Sequence, residues 1–138
     1  MPMKSLGPSG GTGGSPVEVT IPQDATIESL VVVYGSVINA VYLNAGGKKI
    51  GLIGTQGADN TVTIDLTNIT IRAFSGTYGT RVNQLTILTS DGDLHGPYGQ
   101  TAGPATFTYE LPQCANLIGF YGRVGSLVDA FGIIVADS

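Results

Sequence analysis

Few residues in this chain have side chains that could do chemistry. Gly125-Ser126-Leu127-Val128-Asp129 reads as a glycine turn closed by a carboxylate, and it feeds straight into the apolar run 130–135. With an ordinary aspartate pKa of about 3.9, Asp129 is an ionised acceptor at neutral pH. In a turn, such a residue often only caps nearby backbone N–H groups. Two earlier stretches repeat the form with an amide in place of the acid: Gly35-Ser36-Val37-Ile38-Asn39 and Gly79-Thr80-Arg81-Val82-Asn83. Asparagine keeps one acceptor oxygen and loses both the charge and the second equivalent acceptor.

Enzymatic chemistry is hard to assemble from what remains. Hydrolysis of a glycosidic bond needs two carboxylates flanking that bond. No second acid matches the setting of Asp129, although Asp59, Asp91 and Asp93 fall in loop sequence. A nucleophilic triad would rest on His95, with no serine marked out as its partner. Asp91 and Asp93 read as turn residues, so no metal site and no catalytic residue is assigned. Cys114 is the one cysteine, which excludes an internal disulfide and suits a small half-buried hydrophobe. Gly7-Pro8-Ser9-Gly10-Gly11-Thr12-Gly13-Gly14-Ser15-Pro16 has the composition of a phosphate cradle. It leads instead into Val17-Glu18-Val19-Thr20-Ile21, which alternates with period two, so the glycines open a strand and no helix N-terminus awaits a phosphate.

The elements that would hold these residues are all strands. Alternating or apolar runs predict strands over 17–21, 26–33, 37–43, 50–53, 61–66, 68–74, 82–89, 106–111, 117–121 and 127–135. Turns are expected at 45–48, 76–79 and 91–93, and glycine loops at 7–16, 54–60 and 96–104. The leading segment is a candidate edge strand. No window sustains a helical period. The Gly-x-x-x-Asp/Asn turns recur roughly 45 residues apart, so the chain divides into three similar parts. Three small antiparallel sheets about a pseudo-threefold axis would form one core and hide many strand edges. A two-sheet sandwich leaves the threefold repeat unexplained.

Composition narrows the partners. A chain of 138 residues is one domain, 1–138, able to bury roughly two-thirds of its unfolded surface. Apolar residues make up 42 %, which argues against disorder, while 12 % charged residues and 21 glycines favour a turn-rich β protein over helices. The net charge of −4, with no basic cluster beyond Lys48-Lys49, argues against nucleic acid. No apolar run nears membrane-spanning length and Met1–Leu6 lacks a signal-peptide core, so membrane insertion is not expected. The location expected is cytoplasmic, with export by a non-classical route left open.

The order of these features resembles the jacalin-related lectins. The resemblance rests chiefly on Gly96-Pro97-Tyr98-Gly99, Gly103-Pro104-x-x-Phe107, Leu117 to Arg123, and Gly125-x-x-x-Asp129-Ala130-x-Gly132, with 7–14 resembling the family's opening glycine loop. It implies an all-β, β-prism I fold of three four-stranded Greek-key antiparallel sheets with pseudo-threefold symmetry. It implies a metal-independent lectin without cofactors or enzymatic activity, binding mono- and oligosaccharides and glycoproteins, and assembling as a homo-oligomer.

Carried over to this chain, the resemblance implies a primary carbohydrate site. Gly14 would offer its N–H to a ring hydroxyl, and the N–H groups of Ser126 and Leu127 would face the ring oxygen and O6. Asp129 would accept from O4 and O6. Such a set suits a hexose, whose close hydroxyls both donate and accept, because charge-assisted bonds are about twice as strong as neutral ones. Glycine admits the ring to hydrogen-bond distance of the main chain. Gly35, Ser36, Val37 and Asn39 with Gly57 would form a weaker secondary site. Gly79, Thr80, Arg81 and Asn83 with Gly103 would form a third, vestigial one. Arg123 reads as a solvated surface arginine. Because the family's galactose branch is cleaved beside the sugar and this chain runs on upstream, mannose/glucose preference is expected. The alternatives are a galactose-preferring lectin, or a non-catalytic protein-interaction module on the same scaffold.

Overall fold

The computed structural model describes residues 3–22, 24–55, 57, 60–112 and 115–137, the last without its side chain. Cys114 and Asp59 lie outside the described residues. The chain forms β1 (Met3–Gly10), β2 (Ser15–Thr20), β3 (Ile27–Tyr34), β4 (Ile38–Ala45), β5 (Lys48–Gly54), β6 (Asn60–Asp65), β7 (Ile71–Tyr78), β8 (Val82–Thr89), β9 (Leu94–Tyr98), β10 (Ala105–Glu110), β11 (Ala115–Val124) and β12 (Val128–Asp137). Among the described residues there is no helix.

These strands make three four-stranded antiparallel sheets, ordered β5-β4-β3-β6, β9-β8-β7-β10 and β1-β12-β11-β2. In the first two, three successive strands pair and the fourth returns beside the first, which is a Greek key. The last sheet has the same order but joins both ends of the chain, with β1 along β12 (Met3↔Ala136) and β2 along β11 (Thr20↔Gly119). The three antiparallel sheets expected from the threefold repeat, and the β-prism that the resemblance implies, are therefore the fold.

Several boundaries differ from the sequence reading, for physical reasons. Residues 7–10 and 96–98, expected in glycine loops, are strand: β1 pairs with β12 and β9 with β8 (Leu85↔Tyr98). At the end of β1, at the end of β5 and just after β9 stands a glycine whose absent Cβ makes room for a neighbour's carbonyl. A Cβ on Gly10, Gly54 or Gly99 would lie 2.1 Å from the oxygen of Asp129, Asn39 or Asn83 respectively. The glycines thus mark close backbone approach inside a sheet, and were mistaken for loop. Gly76, expected in a turn, lies within β7, where a Cβ would meet the Gln84 carbonyl at 2.0 Å. Residues 68–70 precede β7 as a turn: Asn68 has φ 58° and the Thr67 N–H donates to Asp65 Oδ1 at 2.9 Å.

The core lies where the sheets' inner faces meet. Phe74 of β7, Phe120 of β11 and Phe131 of β12 contact one another with ring centroids 5.5 to 6.0 Å apart. All three are buried, each worth about 1.5–3 kcal/mol of transfer free energy. Leu30, Leu43 and Ile53 bring in the β3–β4–β5 sheet, and Leu85 and Ile87 come from β8. On the outer face of that same sheet, Tyr42 covers Val31, Val33 and Ala40, and Lys49 Nζ lies 4.4 Å from its ring centroid.

Candidate functional site

The strand pairings put six connections at one end of the prism: the turns 35–37, 79–81 and 125–127, and the loops after β1, β5 and β9. Each turn closes with the same bond. Gly35 N–H donates to the Val37 carbonyl (3.0 Å), Gly79 to Arg81 (2.9 Å) and Gly125 to Leu127 (3.1 Å). Each loop then departs against its own turn's repeat, as Gly11 N–H donating to the Asp129 carbonyl (2.8 Å) and Thr55 N–H to the Asn39 carbonyl (3.0 Å) illustrate.

The loop and turn predicted to form the primary site are in contact. A Cβ on Gly14, at φ 68°, would stand 2.4 Å from the Val124 carbonyl carbon and 2.6 Å from Gly125 N. No residue but glycine fits there without displacing the turn. The Asp129 side chain is buried between them: a Cβ on Gly13 would reach its Oδ2 at 3.1 Å, and one on Gly125 at 3.3 Å. Among the described residues the N–H groups of Gly14, Ser126 and Leu127 meet no acceptor, and no hydrogen-bond donor reaches the Asp129 carboxylate. The nearest cation is Arg81, its Nε 3.8 Å from Asp129 Oδ1. The result is a carboxylate flanked by bare amides, the donor and acceptor set that closely spaced hydroxyls require.

Arg123 is tied to the site, unlike the solvated residue the sequence suggested. Its Nε donates to the Gly13 carbonyl at 3.0 Å and Nη2 to the Gly14 carbonyl at 2.9 Å. This fork pins the peptide that carries the Gly14 N–H. Nothing in the local sequence signals it, because the partners are more than a hundred positions apart.

The other two turns are built differently. Gly103 lies against the third turn's repeat, where a Cβ would be 2.6 Å from Tyr78 and 2.7 Å from Asn83 Oδ1. Its N–H is already donated to the Thr77 hydroxyl at 2.9 Å, and Pro104 crowds Gly79. A Cβ on Gly57 would meet nothing within 4 Å, unlike one on Gly14 or Gly103. Counting four residues on from Gly10, Gly54 and Gly99 gives Gly14, position 58 and Gly103, so Gly57 is one residue short of the equivalent place, and 58 lies outside the described residues.

Loops also cross to the next turn, in cyclic order. Thr55 Oγ1 donates to the Ser126 carbonyl, and the N–H groups of Gln100 and Thr101 donate to that of Ser36 (3.1 Å each). Gly11 completes the ring, since a Cβ there would lie 2.3 Å from the Thr80 carbonyl oxygen.

Other groups lie elsewhere. Asp91 and Asp93, read from the sequence as turn residues, sit with His95 at the opposite end, their ligand atoms within 4.8 Å of one another. Asp91 accepts from the Thr89 hydroxyl and the Asp93 N–H, bonds that hold its pKa below the ordinary value. A cavity of about 980 Å³ also opens at that far end, lined chiefly by aliphatic side chains such as Ile27, Leu43 and Leu117.

Comparison with known proteins agrees with this fold. The family description "Jacalin-like lectin domain" matches residues 6–134. Horcolin from Hordeum vulgare is 32 % identical over 144 residues, covering 94 % of each chain. A mannose/glucose-specific lectin from Parkia platycephala is 30 % identical over 146 residues, 95 % of this chain and 31 % of that protein. Among solved structures, AcmJRL, a mannose-binding jacalin-related lectin from Ananas comosus, superposes with a TM-score of 0.77 at 28 % identity, covering 99 % of both chains. The chain belongs to the family of jacalin-like lectin domains.

Proposed function

We propose that this protein binds mannose/glucose-type glycans through Asp129, Gly14, Gly125, Ser126 and Leu127, without a metal and without chemical change to the sugar. The observation that carries this reading is the set of unmet groups at one spot: three backbone N–H donors beside one buried carboxylate. A pyranose hydroxyl pair would satisfy the carboxylate while ring and exocyclic oxygens accept from the amides. The relatives described as mannose/glucose-specific and mannose-binding support the sugar class. One carboxylate binds a sugar but does not supply the acid–base pair that hydrolysis needs.

One site per chain is expected to dominate. The third turn lacks the charge and its Gly103 N–H is already used. The second turn keeps an Asn39 acceptor and is the better of the two. Affinity for a single sugar should be millimolar to micromolar, about −4 to −8 kcal/mol, with assembly of several copies supplying avidity.

Titration calorimetry with methyl α-mannoside, methyl α-glucoside and methyl α-galactoside tests the reading. Asp129→Ala should abolish binding with the melting transition retained. Binding unchanged in that variant, or a preference for galactoside, would overturn it.

A further inference from the structure

Arg81 belongs in sequence to the third turn, yet it stands beside the carboxylate of the first. Its position is fixed from two sides. The Gly79 N–H holds the Arg81 carbonyl at 2.9 Å, and the Thr80 backbone fills the space where a Gly11 side chain would be. The two Asp129 oxygens therefore face different neighbours: Oδ2 lies in the cradle of Gly13 and Gly125, and Oδ1 faces Arg81 Nε at 3.8 Å. That separation is an ion pair without a hydrogen bond. The Arg81 side chain is 53 % exposed and makes no hydrogen bond among the described residues.

We propose that Arg81 makes the Asp129 site selective for acidic saccharides, gripping a carboxylate or sulfate on the sugar unit joined to the bound pyranose. This rests on the lectin reading above and names its substrate class more narrowly. A guanidinium binds either anion with two parallel N–H bonds, and here the turn holds the backbone from which it projects. Asp129 repels such a group, but an anion on the solvent side of Arg81 is nearer to the guanidinium than to the carboxylate. Coulomb energy falls with distance, so attraction wins.

The charge layout favours the same ligand. Arg123 adds a second cation at this end, although its fork is spent on Gly13 and Gly14. Asp24, Glu28, Asp65, Asp91, Asp93 and Glu110 all lie at or beyond the opposite ends of their strands. The chain is acidic overall, with a net charge of −4, but these six acids stand away from the site, and Glu18 lies within β2.

Calorimetry with three disaccharides tests the proposal: mannobiose, monosulfated mannobiose and glucuronosyl-mannose, each at low and high salt. The readout is the ratio of acidic to neutral affinity. Wild type should favour at least one acidic ligand by about tenfold at low salt, falling as salt rises. The two acidic arms distinguish sulfate from carboxylate as the preferred anion. In Arg81→Gln the ratio should fall to one, and Arg81→Lys should retain part of it, with melting curves showing both variants folded. A ratio of one in wild type, or a preference that survives Arg81→Gln, overturns the proposal while neutral binding leaves the lectin reading standing. If no disaccharide binds, mannobiose included, the lectin reading fails and takes this inference with it.

Discussion

The Gly103 N–H donates to the Thr77 hydroxyl at 2.9 Å, whereas the N–H of Gly14, its counterpart in the primary site, meets no acceptor among the described residues. The same backbone position is thus closed in one repeat and available in another. Calorimetric titration with a monosaccharide should give about one strong site per chain. Three equivalent sites would show that Thr77 and Asn83 do not silence the third turn.

Asp129→Asn gives the primary turn the amide that the two echo turns already carry. The fold should persist, since Asn39 and Asn83 occupy the matching places in the other sheets. Loss of the charge-assisted bonds should weaken binding by about 1–3 kcal/mol, or roughly fivefold to 150-fold. An affinity within twofold of wild type would mean that the amides, and not the charge, carry recognition.

Arg123 holds the Gly13 and Gly14 carbonyls, so Arg123→Ala should loosen the loop that presents the Gly14 N–H. These bonds are exposed, which limits the stability loss to about 1 kcal/mol. Sugar affinity should fall about fivefold to tenfold, because the donor is no longer held in place. Arg123→Lys should restore little, as an ammonium cannot fork to two carbonyls. Paired calorimetry and thermal melts would separate the two effects.

Tyr109 of β10 ties the sheets together, its hydroxyl meeting Ser9 and donating to the Phe131 carbonyl at 3.0 Å. Burial pushes its pKa above the ordinary value of 10.0. The folded state therefore holds this proton more tightly than the unfolded state does. That contribution to stability is complete below pH 10 and is lost as pH rises through the folded value. Tyr109→Phe should cost about 1 kcal/mol near neutral pH and flatten the alkaline fall in stability. Equal slopes in denaturant titrations of the two proteins between pH 9 and about 11 would refute this linkage.

Much of the architecture was legible from the chain alone, because it rests on local patterns. Alternation located most strands, such as 61–65 and 106–110. The repeated Gly-x-x-x-Asp/Asn set three equivalent turns, and the one charged member among them singled out Asp129. Residues 7–10 and 96–98 were misread because glycine favours loops locally, while here it admits a neighbouring carbonyl at 2.1 Å.

What the sequence determined by itself was which residues could form a site: a short-range pattern of glycine, amide and carboxylate fixes local backbone and available hydrogen-bonding groups. Which of them meet was decided only in the folded prism. Gly14 lies against Gly125, Arg81 leaves its own repeat for Asp129, and Arg123 holds Gly13 and Gly14. These contacts join segments from different sheets or from opposite ends of the chain, and their geometry follows from how three sheets pack around a shared core. No periodicity within a single strand records that arrangement.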